Sequence, residues 1–70
     1  MYEMWQWVVK EQDGKEGAVA ALIPGQPELG PMVLQGRTER IARQMEQLAA
    51  MHAISSGLPV RLVHLREVDE

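Results

Sequence analysis

One helix, and only one, can be placed in this 70-residue chain. Thr38 is a good N-cap, and Glu39 follows it in the first turn, where the helix dipole favours an anion. Gly57 supplies a left-handed stop and Pro59 prevents the helix from resuming. The segment between, running from Glu39 to Ser55 or Ser56, is expected to be helical. The segments on either side alternate as strands do, so a single helix has to shelter a whole sheet. That restriction limits how much apolar surface the fold can hide.

The strands are read from alternation and from turn residues. Tyr2 to Glu11 is rich in aromatic and β-branched residues, with Trp5, Trp7 and Val9 on one face and Tyr2, Met4, Gln6 and Val8 on the other. Gln12-Asp13-Gly14-Lys15 carries an Asp-Gly hairpin signal. Gly17 to Ile23 is a second strand, apolar on both of its alternating sets. Residues 24–31 hold three of the four prolines and two glycines and read as an irregular loop. Met32 to Gln35 is a short third strand broken by Gly36. After the helix, Val60 to Val68 forms the fourth strand and leads into an acidic end.

The expected fold is α+β, with the order β-β-β-α-β and residues 1–70 in one domain. Three strands form an antiparallel meander. A right-handed crossover then lays the last strand beside the first and parallel to it. The sheet is therefore expected to be four-stranded and mixed, in the order 3-2-1-4, with the helix on one face.

That arrangement leaves a mismatch. On the helix, Ile41, Met45, Leu48, Ala49 and His52 form the stripe that faces the sheet, flanked by Ala42 and Ala53. Yet Ala50, Met51 and Ile54 lie on the opposite side, where charged residues are expected. In the last strand Val60 and Leu62 point one way while Val63 and Leu65 point the other, whereas a half-solvated strand alternates apolar with polar. A chain this short hides only about 60% of its unfolded surface. It contains no cysteine that could form a disulfide. A second apolar face is therefore expected to be covered by a partner, and a two-fold homodimer is the commonest solution. The expected partner or dimer interface comprises Trp5, Trp7, Met51, Ile54, Val63 and Leu65. In the alternative facing, the Trp pair lies under the helix and Met4, Val8 and the alanines lie outside.

Chemistry-bearing motifs are sparse. His52 and His64 are the only histidines, and a metal site needs three or four ligands in close geometry, so no metal or other cofactor is expected. A small-ligand or metal site near these two residues, between protomers, is kept as an alternative. The acidic residues sit mostly on turns, on the helix or at the end of the chain. No P-loop, no glycine-rich dinucleotide motif and no nucleophile elbow is present, so no enzymatic activity is expected. Arg37, Arg40 and Arg43 recur every three residues and could contact phosphates, which makes a nucleic-acid-binding regulator a second alternative. Against it, Glu39 and Glu46 interrupt the stripe and the net charge is −3. No basic start followed by an apolar run marks a secretion signal, and no apolar stretch approaches the ~20 residues of a membrane span. A cytoplasmic location without membrane association is the expectation.

The segments MYEMWQWVVKE, QDG, AVAALIPG, VLQG and TERIARQMEQLAAMHA succeed one another in a pattern that resembles the N-terminal domain of the HicB-type antitoxins, over residues 1 to about 54. The resemblance implies a partial ribonuclease-H-like fold with the last strand parallel to the first. It also implies an antitoxin-like module that oligomerises and occupies a toxin-like partner through a sheet edge or the helix. The loop GQPELGP departs from that family's usual segment. The DNA-binding segment that normally comes after this domain has no counterpart in residues 55–70, so operator binding is not implied. The expected function is a non-enzymatic protein-interaction or accessory module.

Overall fold

The computed structural model describes residues 3–66. Expectations for Tyr2 and for residues 67–70 lie outside them. The elements are β1 (Glu3–Lys10), β2 (Glu16–Ala18), β3 (Ala20–Leu22), β4 (Pro31–Val33), β5 (Gln35–Gly36), α1 (Glu39–Arg43), α2 (Glu46–Ser56) and β6 (Val60–Arg66), with a 3-10 turn at Pro27–Leu29. This is a small α+β fold, built on an antiparallel sheet and one main helix.

β1 is the spine of the sheet. One edge pairs along its length with β6, antiparallel, from Glu3 opposite Arg66 to Val9 opposite Val60. The other edge is shared. β2 pairs with the second half of β1, with Val8 opposite Ala18, and β5 pairs with the first half, with Trp5 opposite Gly36. Between β2 and β5 the chain leaves the sheet as a separate two-stranded arm, β3 against β4.

Three residues close the junction where the arm departs. The Val19 N–H donates to the Trp7 carbonyl (2.9 Å), the Trp7 N–H to the Leu34 carbonyl (3.0 Å), and the Leu34 N–H to the Val19 carbonyl (2.9 Å). Each gives one bond and receives one, so no backbone group is orphaned at a site with no access to water. The side chains agree with this placement. Val19 is 0% and Leu34 1% exposed, and they are the largest fully buried side chains among the described residues.

This junction changes the expected topology. The third strand does not lie outside the second; β2 and β5 lie end to end against β1. Consequently β5 runs antiparallel to β1. The helical crossover still connects two strands that run in the same direction, as crossover geometry favours. Those strands are β5 and β6, with β1 between them, so the last strand is antiparallel to the first rather than parallel. The order 3-2-1-4 and the mixed sheet are replaced accordingly. The parallel last strand implied by the antitoxin resemblance is absent for the same reason.

The helix differs as well. Thr38 caps it as expected, its Oγ1 accepting from the Ile41 N–H at 3.2 Å, and Gly57 ends it with φ 72°. Between those ends it breaks at Gln44–Met45. The Trp7 indole Nε1–H donates to the Ala42 carbonyl at 2.8 Å, while the Met45 N–H reaches the same oxygen at 3.0 Å. A side chain inserted into the helical ladder is an established cause of a kink. Here it divides the helix into α1 and α2.

The core is assembled from these placements. Trp7, Val9, Val19, Leu34 and Ala49 are buried together, with Met45, Leu48, Leu58, Val60, Leu62 and Ala21 packed around them. The face of β1 that carries the two tryptophans is therefore the one under the helix.

Candidate interaction surfaces

Each expected interface residue now has a location. Trp7 is 5% exposed and is core, which removes it from the interface set. Its indole is consumed by the Ala42 carbonyl, and the Arg43 guanidinium sits 5.8 Å from its ring centroid. Trp5 is half-buried. Its ring stacks on that of its cross-strand partner His64, with centroids 3.9 Å apart and planes 1° from parallel. The Glu3 carboxylate lies 3.7 Å from His64 Nε2 and 3.5 Å from Arg66 Nε, so this end of the helix-side face is a cross-strand aromatic and polar cluster. The sequence placed both tryptophans together, but could not distinguish a ring that anchors the core from one that stacks at its margin.

Met51 and Ile54 are on the surface as expected, 64% and 83% exposed. With the exposed Gln47 and Ala50 they form an outward stripe at i, i+3, i+4 and i+7 along α2. Leu48, Ala49 and Met45 hold the inward side of the helix and pack in the core.

The sheet face away from the helix is more polar than the strand pattern suggests. Val63 is half-buried there and Leu65 is exposed. Beside them, Gln6 donates to Gln35 at 3.1 Å. Arg61 reaches across β1 to Glu16, with Nη2 at 2.7 Å from Oε1 and 3.0 Å from Oε2. This pair raises the Arg61 pKa above its ordinary value, chiefly through the hydrogen bond to the Glu16 side chain and secondarily through its charge. Long side chains cover apolar surface with their stems. Val8 lies on this face between Ala18 and Arg61 and is only 7% exposed. Part of the face expected to need a partner is thus covered by an ion pair of the chain itself. The apolar remainder is the corner formed by Met4, Val63 and Leu65.

A third surface was not singled out from the sequence. On the arm, Ala20 pairs with Val33 and Leu22 with Pro31, and all four are exposed or half-exposed. The signal was present in GAVAALI, whose two alternating sets are both apolar. What the sequence lacked was the information that the chain departs from the sheet at Val19.

The alternative sites are dispersed. Arg37 and Arg40 are exposed, but Arg43 is engaged by Glu39 (3.4 Å) and Glu46 (3.1 Å). His52 lines a wide open cleft of about 610 Å³ with Glu11, Asp13 and Ser56, whereas His64 is stacked on Trp5 on the far strand. Among the described residues no group of three or more His, Cys, Asp or Glu side chains could hold a metal ion, and no helix is long and apolar enough to cross a membrane.

Comparison of the chain with protein-family models, curated proteins and solved structures returns no match.

Proposed function

We propose that this chain is a non-enzymatic interaction module that self-associates and presents the outward stripe of α2 to a protein partner. The observation that carries this reading is the exposure of Ile54 at 83% and Met51 at 64% on the solvent side of a helix whose other side is already committed to the core. A surface helix with no binding duty carries polar residues there. Fully burying a side chain of this kind contributes ~1.5–3 kcal/mol, so two of them supply a meaningful share of an interface when a partner covers them. Apolar side chains at i and i+3 or i+4 are also the pattern by which a helix engages a groove or a second helix. Neutralisation of a toxin-like protein, as the antitoxin resemblance implies, is one specific form of this function. The engagement of Arg43 by Glu39 and Glu46 weighs against the nucleic-acid alternative.

The test is a photo-crosslinking amino acid placed at position 54 in the native host, with position 15, in the exposed hairpin turn, as control. A discrete adduct with another protein at 54 and not at 15, abolished by Met51→Glu, is the expected result. Absence of any adduct at 54, or equal adducts at both positions, overturns the assignment.

A further inference from the structure

We infer that the second copy is added along the outer edge of β6, by antiparallel pairing of β6 with itself about a two-fold axis at Val63. The inference rests on the self-association proposed above and specifies which surface serves it.

The backbone directions are fixed by a few bonds. The Lys10 N–H donates to the Pro59 carbonyl, across the β6 edge of β1. Trp7 turns both its N–H and its carbonyl to the opposite edge, toward Leu34 and Val19. Direction alternates along a strand. Met4, Gln6 and Val8 therefore bond β6 through their partners Leu65, Val63 and Arg61. The intervening Val60, Leu62 and His64 point their N–H and C=O groups away from β1. Among the described residues no strand pairs with that side of β6.

A bare edge of seven residues is a liability that folded proteins ordinarily blunt with a proline, a bulge, an inward charge or a covering loop. Among the described residues β6 has no proline and pairs with β1 without a bulge, and its charged residues, Arg61 and Arg66, are drawn to Glu16 and Glu3 of the same chain. An identical strand fits it. With Val63 opposite the partner's Val63, each Leu62 faces the partner's His64 and the two exchange both backbone bonds. On the open face, Arg61 falls opposite the partner's Leu65, so no two charged side chains meet there.

Charge favours a second copy over a charged peptide. Arg61 is held by Glu16, and Arg66 lies 3.5 Å from the Glu3 carboxylate, so the cations on β6 are already matched within their own chain. In the two-fold register no like charges are directly opposed, and Leu62 and Val63 at the centre of the seam carry no charge. The seam is one strand edge of roughly 23 Å at ~3.3 Å per residue, held mainly by backbone bonds, and such a contact falls at the small end of specific interfaces, so the dimer is expected to be reversible and to dissociate on dilution.

The experiment uses the unmodified chain first. Its mass is followed by analytical ultracentrifugation across micromolar concentrations, and amide exchange of Leu62 and His64 is measured at both extremes. Expected is a dimer at high concentration, with those two amides protected there and exchanging rapidly after dilution. Val63→Lys and Val63→Glu then each place like charges face to face on the axis, and each should weaken association by more than about tenfold. An equimolar mixture of the two variants should restore it. A wild-type dimer whose Leu62 and His64 exchange is independent of concentration overturns this seam and leaves self-association standing. A wild-type chain that remains monomeric overturns both.

Discussion

Gly36→Ala provides a direct test of how the helix is held against the sheet. Gly36 closes β5, opposite Trp5, and its φ is not in the left-handed region. The requirement for glycine is therefore one of space. A Cβ built there would lie 2.6 Å from Ile41 Cγ2, 2.8 Å from Ile41 Cβ and 2.9 Å from the Ala42 backbone nitrogen. The first two atoms belong to a β-branched side chain with little rotamer freedom, and the third is helix backbone. Ala42 cannot retreat easily, because its carbonyl holds the Trp7 indole. Overpacking of a tight site costs ~1–3 kcal/mol, and contacts of this kind belong at the upper end, about 3 kcal/mol. Stability of ~0.05–0.15 kcal/mol per residue gives about 4–10 kcal/mol for 70 residues, so this is a large fraction of the whole. At ~4–8 °C per kcal/mol for a domain of this size, the melting temperature should fall by about 12–24 °C. The control is Gly17→Ala, where φ is ordinary and the only neighbour within 4 Å is Glu11 Oε1 at 3.8 Å; it should stay within about 0.5 kcal/mol of wild type. Both are compared by thermal and urea unfolding at one fixed chain concentration, since any association of a folded chain makes its apparent stability concentration-dependent. A Gly36→Ala loss below about 1 kcal/mol would refute the close packing of α1 on β5.

Three further substitutions test other parts of the fold. Trp7→Phe removes the donor to the Ala42 carbonyl and part of a buried ring, and should cost about 2 kcal/mol in urea unfolding, one for the hydrogen bond and the rest for the lost apolar volume. Leu34→Ala and Leu29→Ala look alike in the sequence, yet Leu34 is 1% and Leu29 55% exposed, so the first should cost ~2–5 kcal/mol and the second under about 0.5 kcal/mol. Thr38→Ala should cost about 1 kcal/mol through loss of the Ile41 cap bond, a cost that Thr38→Ser should largely recover.

What was legible in the sequence was what local chemistry dictates. Asp13 and Gly14 make the turn they announce, with Asp13 Oδ1 accepting from the Lys15 N–H at 2.9 Å and Gly14 at φ 87°. Thr38 and Gly57 begin and end the helical region as expected. Both are decided within a few residues, where one hydrogen bond or one left-handed φ outweighs competing effects. What was not legible depended on contacts distant in the sequence. Trp7 and Ala42 are 35 residues apart, and the helix break at Gln44–Met45 exists because an indole reaches that carbonyl. Nothing in QMEQLAAM announces it, since each residue tolerates a helix. The direction of the last strand failed for a related reason. Alternation shows that residues 17–23 and 32–35 are strands, but not that Val19 and Leu34 both bond to Trp7 and divide one edge of β1 between them.

The same junction bears on the candidate surfaces. Once Trp7, Val19 and Leu34 share a closed set of backbone bonds, residues 20–33 must leave the sheet, and their apolar side chains are only partly sheltered. Ala21 reaches the core, while Leu22, Pro31 and Val33 stay outside. The excess of apolar surface inferred from the strand pattern is therefore real, but it is distributed differently. Trp7 is sheltered by the helix, Trp5 stacks on His64 at the margin of the core, and the open sheet face is partly closed by Arg61 and Glu16. Among the described residues the remaining exposure lies at Ile41 of α1, on α2, on the arm and at the Leu65 corner beside the unpaired edge of β6. A surface divided in this way fits a molecule with two different contacts. An edge can add an identical strand through its backbone with little apolar area, while the oily stripe of α2 remains available to a partner that buries it.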